Sequence, residues 1–134
     1  MCWFIRVRVV LQKDTPHSRA KVAPLPPNCE PHDGEMTDFV LPKTMCGCGH
    51  VLRAGKDNEA CGVIEPVTLT LGHYLSQEPV KRLEVWWSWG SASPKVPETE
   101  VRMPYAQFLE ENRARRLRPD VRYRLNRPEK YAFN

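Results

Sequence analysis

Ile5-Arg6-Val7-Arg8-Val9, near the start of the chain, and Val121-Arg122-Tyr123-Arg124-Leu125, near its end, have the same form. In both segments apolar residues alternate with arginines, which is typical of a β-strand with one buried and one polar face. If the two strands lie in one sheet with their apolar sides inward, the four arginines form one patch of guanidinium groups. Such a patch repels itself unless an acidic group lies against it. The alternative is that each arginine pairs with a nearby acid, or that the strands lie apart.

Period-two alternation also predicts strands in three further segments, rich in β-branched and aromatic residues. Together with the two segments above, the predicted strands are 3–11, 38–41, 67–71, 83–89 and 121–125. One helix is predicted over 104–117, because Pro104 suits the first position of a helix. Acidic residues precede the arginines within this helix, as the helix dipole favours, and Pro119 ends it.

The fold class that these elements predict is a small, β-rich α+β domain with an antiparallel or mixed sheet and one main helix near the C-terminus. The 13 prolines among 134 residues are about twice the average frequency and predict long irregular connections. We expect a body over 1–103, with a Pro-rich loop at 12–36 and a Cys/Gly/His loop at 42–62. Residues 104–134 form a basic helix and an extended tail, either in the same domain or as an arm. No apolar run approaches the roughly 18 residues that a membrane-spanning helix needs.

The net charge of +4 comes from the last quarter of the chain. Residues 1–101 contain 11 Lys and Arg against 12 Asp and Glu, whereas residues 102–134 contain 9 against 4. These cations must contact water or an acidic partner. The predicted partner-binding residues are Arg6, Arg8, Arg113, Arg115, Arg116, Arg118, Arg122, Tyr123, Arg124, Leu125, Arg127, Tyr131 and Phe133.

The segment Cys46-Gly47-Cys48-Gly49-His50 is the sharpest cluster of chemically active residues. Cysteine followed by glycine is typical of zinc knuckles, and the candidate ligands are Cys29, His32, Cys46, Cys48, His50 and Cys61. Zinc ribbons, however, usually present Cys-x2-Cys twice, a spacing that this chain lacks. The alternative is a Gly-rich turn with buried cysteines, so the predicted cofactor is none or zinc. The odd count of five cysteines indicates an intracellular, reducing compartment: cytoplasm, organelle matrix or virion.

No complete catalytic motif is present. His50 lies two residues from Cys48, but no third group that would orient a Cys-His pair can be identified. No small-molecule substrate is indicated. Trp86 and Trp87 fall on opposite faces of the predicted strand 83–89, so one of them packs in the core and the other lies under a loop or contacts a partner.

Three hypotheses for function follow. The first is a non-enzymatic structural or accessory subunit of a large macromolecular assembly, which binds neighbouring protein subunits through Pro-rich arms and a basic C-terminal extension. The second is a module that binds RNA or DNA, with a degenerate zinc-ribbon-like Cys/His site; its body is less basic than such domains usually are. The third is a small enzyme, for which the sequence offers no assembled site.

Overall fold

The computed structural model describes residues 3–13, 15–22, 30–31, 38–41, 51–54, 57–89 and 96–127. The elements in these ranges follow the order β1 (Trp3–Leu11), α1 (Pro16–Lys21), β2 (Glu30–Pro31), β3 (Asp38–Leu41), β4 (Val51–Ala54), β5 (Asp57–Val63), α2 (Glu65–Leu75), β6 (Val80–Trp89), β7 (Glu100–Pro104), α3 (Tyr105–Arg113) and β8 (Arg122–Asn126). The protein is therefore a small α+β domain.

Six strands form one mixed sheet in the order β2-β3-β1-β6-β8-β7. The strands β7 and β8 are parallel, and the other pairs in this sheet are antiparallel. The strands β4 and β5 form a separate antiparallel pair. The strands predicted at 3–11, 38–41 and 83–89 are present, and the one predicted at 121–125 occurs as β8.

The core lies between one face of the six-stranded sheet and the helices α2 and α3. Alternate residues of β1, β6 and β8 point into it, as the period of two residues requires. The sheet residues at its centre are Ile5, Val7, Val9, Leu83, Val85, Trp87, Tyr123 and Leu125, and the helices contribute Val67, Leu71, Tyr74, Leu75 and Phe108. The other face of the sheet is therefore the one that presents the arginines.

The prediction of a strand over 67–71 is wrong, because these residues lie in α2. Glu65 and Pro66 suit the first turn of a helix, where acidic residues and proline are favoured. Val67 and Leu71 are four residues apart on one helical face, and both are buried. Leu69, which belonged to the alternating pattern, is left 63% exposed.

The long connections contain more regular structure than the proline count predicted. The predicted loop 12–36 contains α1, whose N-cap is Thr15: its hydroxyl oxygen accepts a hydrogen bond from the Ser18 N–H at 3.1 Å. The predicted loop 42–62 contains β4 and most of β5.

The helix predicted over 104–117 is shorter than expected, and the N-cap of α3 is Pro104. Its 9 residues are fewer than the 11 of α2, so the C-terminal helix is not the main one. Within the described part of the chain, no helix has both the length and the apolar character needed to cross a membrane.

Candidate functional site

The two arginine-rich strands of the sequence lie on either side of β6. In the register of these strands, Arg8 of β1 is opposite Glu84 of β6, and Glu84 is opposite Arg124 of β8. Arg124 is in turn the partner of Arg102 in β7. Among the residues whose side chains the structure describes, six arginines and two carboxylates lie on the sheet face opposite the helices, and Asp38 of β3 is also opposite Arg8 in the register. We call this surface the arginine face; its members are Arg6, Arg8, Arg82, Glu84, Glu100, Arg102, Arg122 and Arg124.

Each carboxylate of the arginine face is surrounded by three guanidinium groups. Glu84 is 6% exposed. The distances from its carboxylate oxygens to the nearest guanidinium nitrogens are 3.9 Å for Arg8, 3.5 Å for Arg82 and 3.6 Å for Arg122. Glu100 lies 4.0 Å from Arg102, 3.7 Å from Arg122 and 3.4 Å from Arg124. Of these contacts, the one between Arg124 and Glu100 is also a hydrogen bond. Among the side chains that the structure describes, these two carboxylates therefore face four arginines, Arg82, Arg102, Arg122 and Arg124, in addition to Arg8.

Three of these guanidinium groups contain a buried donor without a hydrogen-bond acceptor. The Nε atoms of Arg82, Arg122 and Arg124 are buried, and none of them has a hydrogen-bond partner. An unsatisfied buried donor costs about 1–3 kcal/mol, and more when the group is charged. The Arg82 Nε lies 3.5 Å from a Glu84 carboxylate oxygen, which offsets part of this cost electrostatically. The side chains of Arg122 and Arg124 are 24% and 23% exposed, so solvent and a partner can reach them.

Aromatic and hydroxyl groups fix the β1 side of the arginine face. The Arg6 Nε donates a hydrogen bond of 3.0 Å to the Ser88 hydroxyl, and its guanidinium lies 5.9 Å from the Phe4 ring centroid. The Arg8 guanidinium lies 5.3 Å from the ring of Trp86, which is buried, so Trp86 supports a cation on this face while Trp87 packs in the core. Arg6 is therefore buried on this face, whereas Arg8 keeps 35% of its side chain exposed.

Two of the predicted partner-binding residues belong to the core. Tyr123 and Leu125 are 4% and 0% exposed, and the Tyr123 ring makes edge contacts with Trp87 and Phe108. The Tyr123 hydroxyl accepts a hydrogen bond of 2.6 Å from the Arg118 N–H, and burial raises the pKa of the tyrosine. Tyr123 and Leu125 cannot anchor a partner, because β8 is an interior strand of the sheet rather than an extended tail.

The remaining predicted residues lie at the end of α3 or beyond β8. The Arg116 guanidinium contacts Glu111 at 3.0 Å and holds the pKa of that carboxyl below its usual value through this hydrogen bond. Arg118 lies 3.3 Å from Asp120, and the Arg127 guanidinium donates to the Glu78 carbonyl at 3.2 Å. Arg113 and Arg115 are exposed. Tyr131 and Phe133 lie outside the described residues.

Of the six candidate zinc ligands, only Cys61 lies within the described residues. Cys29, His32, Cys46, Cys48 and His50 lie outside them. Cys61 is a free, buried thiol, and burial raises its pKa to about 11, so it is protonated at neutral pH. In the ranges that the structure describes, no three His, Cys, Asp or Glu side chains are grouped as a metal site would need.

A side-chain amide clamps β5 to α3, which the sequence did not indicate. The Asn112 Oδ1 accepts from the Val63 N–H at 2.6 Å, and the Nδ2 donates to the Val63 carbonyl at 3.1 Å. Two residues earlier, Cys61 and Leu117 exchange backbone hydrogen bonds of 2.7 and 2.9 Å. Position 62, between Cys61 and Val63, requires glycine, because a Cβ there would lie 2.8 Å from the Asn112 backbone oxygen. The sequence contained one signal of this contact: asparagine is unfavourable inside helices, yet Asn112 lies in the last turn of α3.

The clamp is followed by a residue in the left-handed region. Arg115 has φ of 54°, a conformation that costs a non-glycine residue on the order of 1 kcal/mol and that glycine usually occupies after a helix. Its Nη1 donates to the Arg53 carbonyl at 3.4 Å.

Glu84 and Glu100 are the functional candidates that the sequence analysis missed. The sequence indicated only that Glu84 lies on the polar face of the strand predicted over 83–89. Its position between Arg8 and Arg124 follows from the order of the strands in the sheet. Comparison with known proteins gives no further assignment, because no family model, curated protein or solved structure matches the chain.

Proposed function

We propose that the protein is a non-enzymatic accessory subunit of a macromolecular assembly, and that its arginine face binds an acidic surface of a neighbouring protein subunit. The observation that supports this proposal is that Arg82, Arg102, Arg122 and Arg124 share Glu84 and Glu100 as their carboxylate partners among the described residues, while their side chains stay partly exposed. Carboxylates of a partner supply the missing charge at the exposed parts of the Arg122 and Arg124 side chains, because guanidinium groups bind carboxylates in a bidentate manner.

The chemistry of the described residues also favours binding over catalysis. The Cys61 thiol has a raised pKa and is buried, which is the opposite of what a nucleophilic cysteine requires. A fixed array of half-buried arginines is suited to the recognition of a planar anion.

A nucleic acid is the alternative partner, because phosphates satisfy guanidinium groups as well as carboxylates do. Zinc binding by the Cys/His residues belongs to this alternative, with the candidate ligands Cys29, His32, Cys46, Cys48, His50 and Cys61. It stays a prediction that elemental analysis of the purified protein tests.

The experiment is incorporation of the tagged full chain, expressed at native level, into large complexes separated by gradient sedimentation. The variant is Arg122→Gln/Arg124→Gln, and the matched control is Arg116→Gln, which removes a positive charge from the helix side of the domain. We expect the double variant to leave the large fractions and the control to remain in them. Unchanged incorporation of the double variant would refute the proposal.

Nuclease treatment and salt distinguish the two partners. If a protein subunit binds the arginine face, the complex survives nuclease treatment. If nucleic acid binds it, nuclease releases the chain, and the logarithm of the binding constant falls with the logarithm of salt by about 0.7–0.9 per phosphate contact. The second result would replace the proposed function with the alternative.

A further inference from the structure

A cleft on the helix side of the domain is separate from the arginine face. It has a volume of about 510 Å³ and lies between the β4–β5 pair, the first half of α2 and α3. Apolar side chains form its walls, among them Leu52, Leu69, Tyr105 and Leu109. Its size lies within the range of about 300–1,000 Å³ that is typical of ligand sites.

Leu69 is the apolar residue at the mouth of this cleft. It is 63% exposed and is the only large apolar side chain with that degree of exposure among the described residues. A single exposed leucine is common on protein surfaces. Leu69 differs because it borders a concave surface that contains the half-buried Leu52 and Leu109. Leu69 therefore adds exposed apolar area to a cleft whose lining also includes Thr68 and Asn112.

Two cations without ion pairs line the same cleft. Neither Arg113 nor Arg115 forms an ion pair with any residue in the described ranges, whereas the next arginine, Arg116, is paired with Glu111. Arg115 adopts the left-handed conformation that usually selects glycine, so the chain retains an arginine where its backbone disfavours one. The cleft thus combines apolar side chains with two positive charges and one carboxylate, that of Glu65 in the first turn of α2.

We propose that this cleft binds a short segment of a partner protein in which a bulky apolar residue is flanked by acidic residues. The apolar side chain enters the cleft against Leu69, and a flanking carboxylate contacts Arg113 or Arg115. The two arginines outnumber Glu65 in the lining, so charge complementarity selects an acidic segment over a basic one, and the apolar side chains select it over a nucleic acid. The proposal does not depend on the arginine face, because the cleft lies on the opposite side of the sheet.

The experiment uses the full chain and three sets of fluorescently labelled nonapeptides. The first set has a central Leu, Phe or Trp between Asp and Glu residues, the second replaces the central residue with Ser, and the third replaces the acids with Lys. Fluorescence anisotropy should show saturable binding for the first set alone, with dissociation constants up to about 100 µM, as is reasonable for a small interface. If no member of the first set binds saturably at 1 mM peptide, the proposal is refuted.

Variants test the location of binding. Leu69→Ser and Arg113→Glu should each weaken peptide binding about tenfold or more, because each removes a proposed contact with the peptide. Both positions are exposed, so the variants should keep the fold. The matched control Arg116→Glu makes the same charge change three residues after Arg113, outside the cleft, and should weaken binding less than about threefold. Circular dichroism and thermal unfolding confirm that each variant is folded. Binding that is equally sensitive to the control, or insensitive to Leu69→Ser, would show non-specific charge attraction and overturn the proposal.

Two other occupants are excluded by separate results. Sedimentation velocity that shows dimers of the wild type, but monomers of Leu69→Ser, would assign the cleft to a second copy of this chain. Tighter binding of a labelled oligonucleotide than of any acidic peptide, with loss of that binding in Arg113→Glu, would assign it to phosphate. Either result overturns the peptide proposal, whereas a monomer with no such oligonucleotide binding is the result that we expect.

Discussion

Replacement of Asn112 by alanine should destabilise the domain by about 2–4 kcal/mol. The change removes both hydrogen bonds between the Asn112 amide and the Val63 backbone, and Val63 is 3% exposed. A buried backbone group that loses its partner costs about 1–3 kcal/mol, and two groups are affected. For a domain of this size the loss should lower the thermal midpoint by roughly 10 °C. Urea unfolding, followed by tryptophan fluorescence, measures the change in free energy.

Asn112→Asp adds a pH dependence with a defined sign. The introduced carboxylate can still accept from the Val63 N–H, but its second oxygen faces the Val63 carbonyl instead of donating to it. Burial and this repulsion raise the pKa of the introduced carboxyl in the folded state above about 3.9, its value in the unfolded chain. Stability is therefore retained below the unfolded pKa and is lost as the pH rises through the folded pKa. Relative to wild type, the variant should be close to normal near pH 4 and destabilised at pH 7.

Asn126 provides the matched control, since it is exposed at the end of β8. Asn126→Ala should change the free energy of unfolding by less than about 0.5 kcal/mol, and Asn126→Asp should not lose stability as the pH rises. A cost below about 0.5 kcal/mol for Asn112→Ala, or a flat pH profile for Asn112→Asp, would refute the role of the amide as a clamp.

Three further predictions concern residues near this clamp. Gly62→Ala should destabilise the domain by more than about 2 kcal/mol in urea unfolding, because its Cβ would lie 2.8 Å from the Asn112 backbone oxygen; normal stability would contradict the close approach. Cys61 should resist iodoacetamide at pH 8 until the protein unfolds, as measured by peptide mass spectrometry. The free energy of unfolding should fall between pH 9 and 11, because burial raises the pKa of Cys61 in the folded protein to about 11, and urea midpoints measure this fall. Arg115→Gly should raise stability by up to about 1 kcal/mol, through relief of the positive φ, and should weaken binding of the acidic peptides; a loss of stability would show that the side chain outweighs the strain.

The strands that could be predicted from the sequence are those with one apolar and one charged face. In β1 and β8 the alternation of apolar residues with arginine leaves one arrangement in which the apolar side is buried. The sequence also predicted that clustered arginines require acidic groups nearby. It could not identify Glu84 and Glu100 as those groups, because the pairing of β6 between β1 and β8 is a long-range property of the sheet.

The error over 67–71 has a specific physical cause. Val67, Leu69 and Leu71 fit a period of two, but Val67 and Leu71 also fit a helical spacing of four. Local β propensity favoured the strand, and the tertiary context decided otherwise, because α2 buries Leu71 and Tyr74 against β6. The residue that does not fit the helical face is Leu69, and it lies at the mouth of the proposed peptide cleft.

Four of the basic residues near the C-terminus, which the sequence presented as one charged extension, belong to two separate surfaces. Arg113 and Arg115 lie at the cleft beside α3, and Arg122 and Arg124 lie on the arginine face. The turn between α3 and β8 returns the chain to the sheet, and the buried core separates the two groups. Charges on opposite sides of the domain interact weakly at physiological salt, where the Debye length is about 8 Å. Occupation of one surface therefore need not oppose occupation of the other, which is what a subunit between two neighbours in an assembly requires.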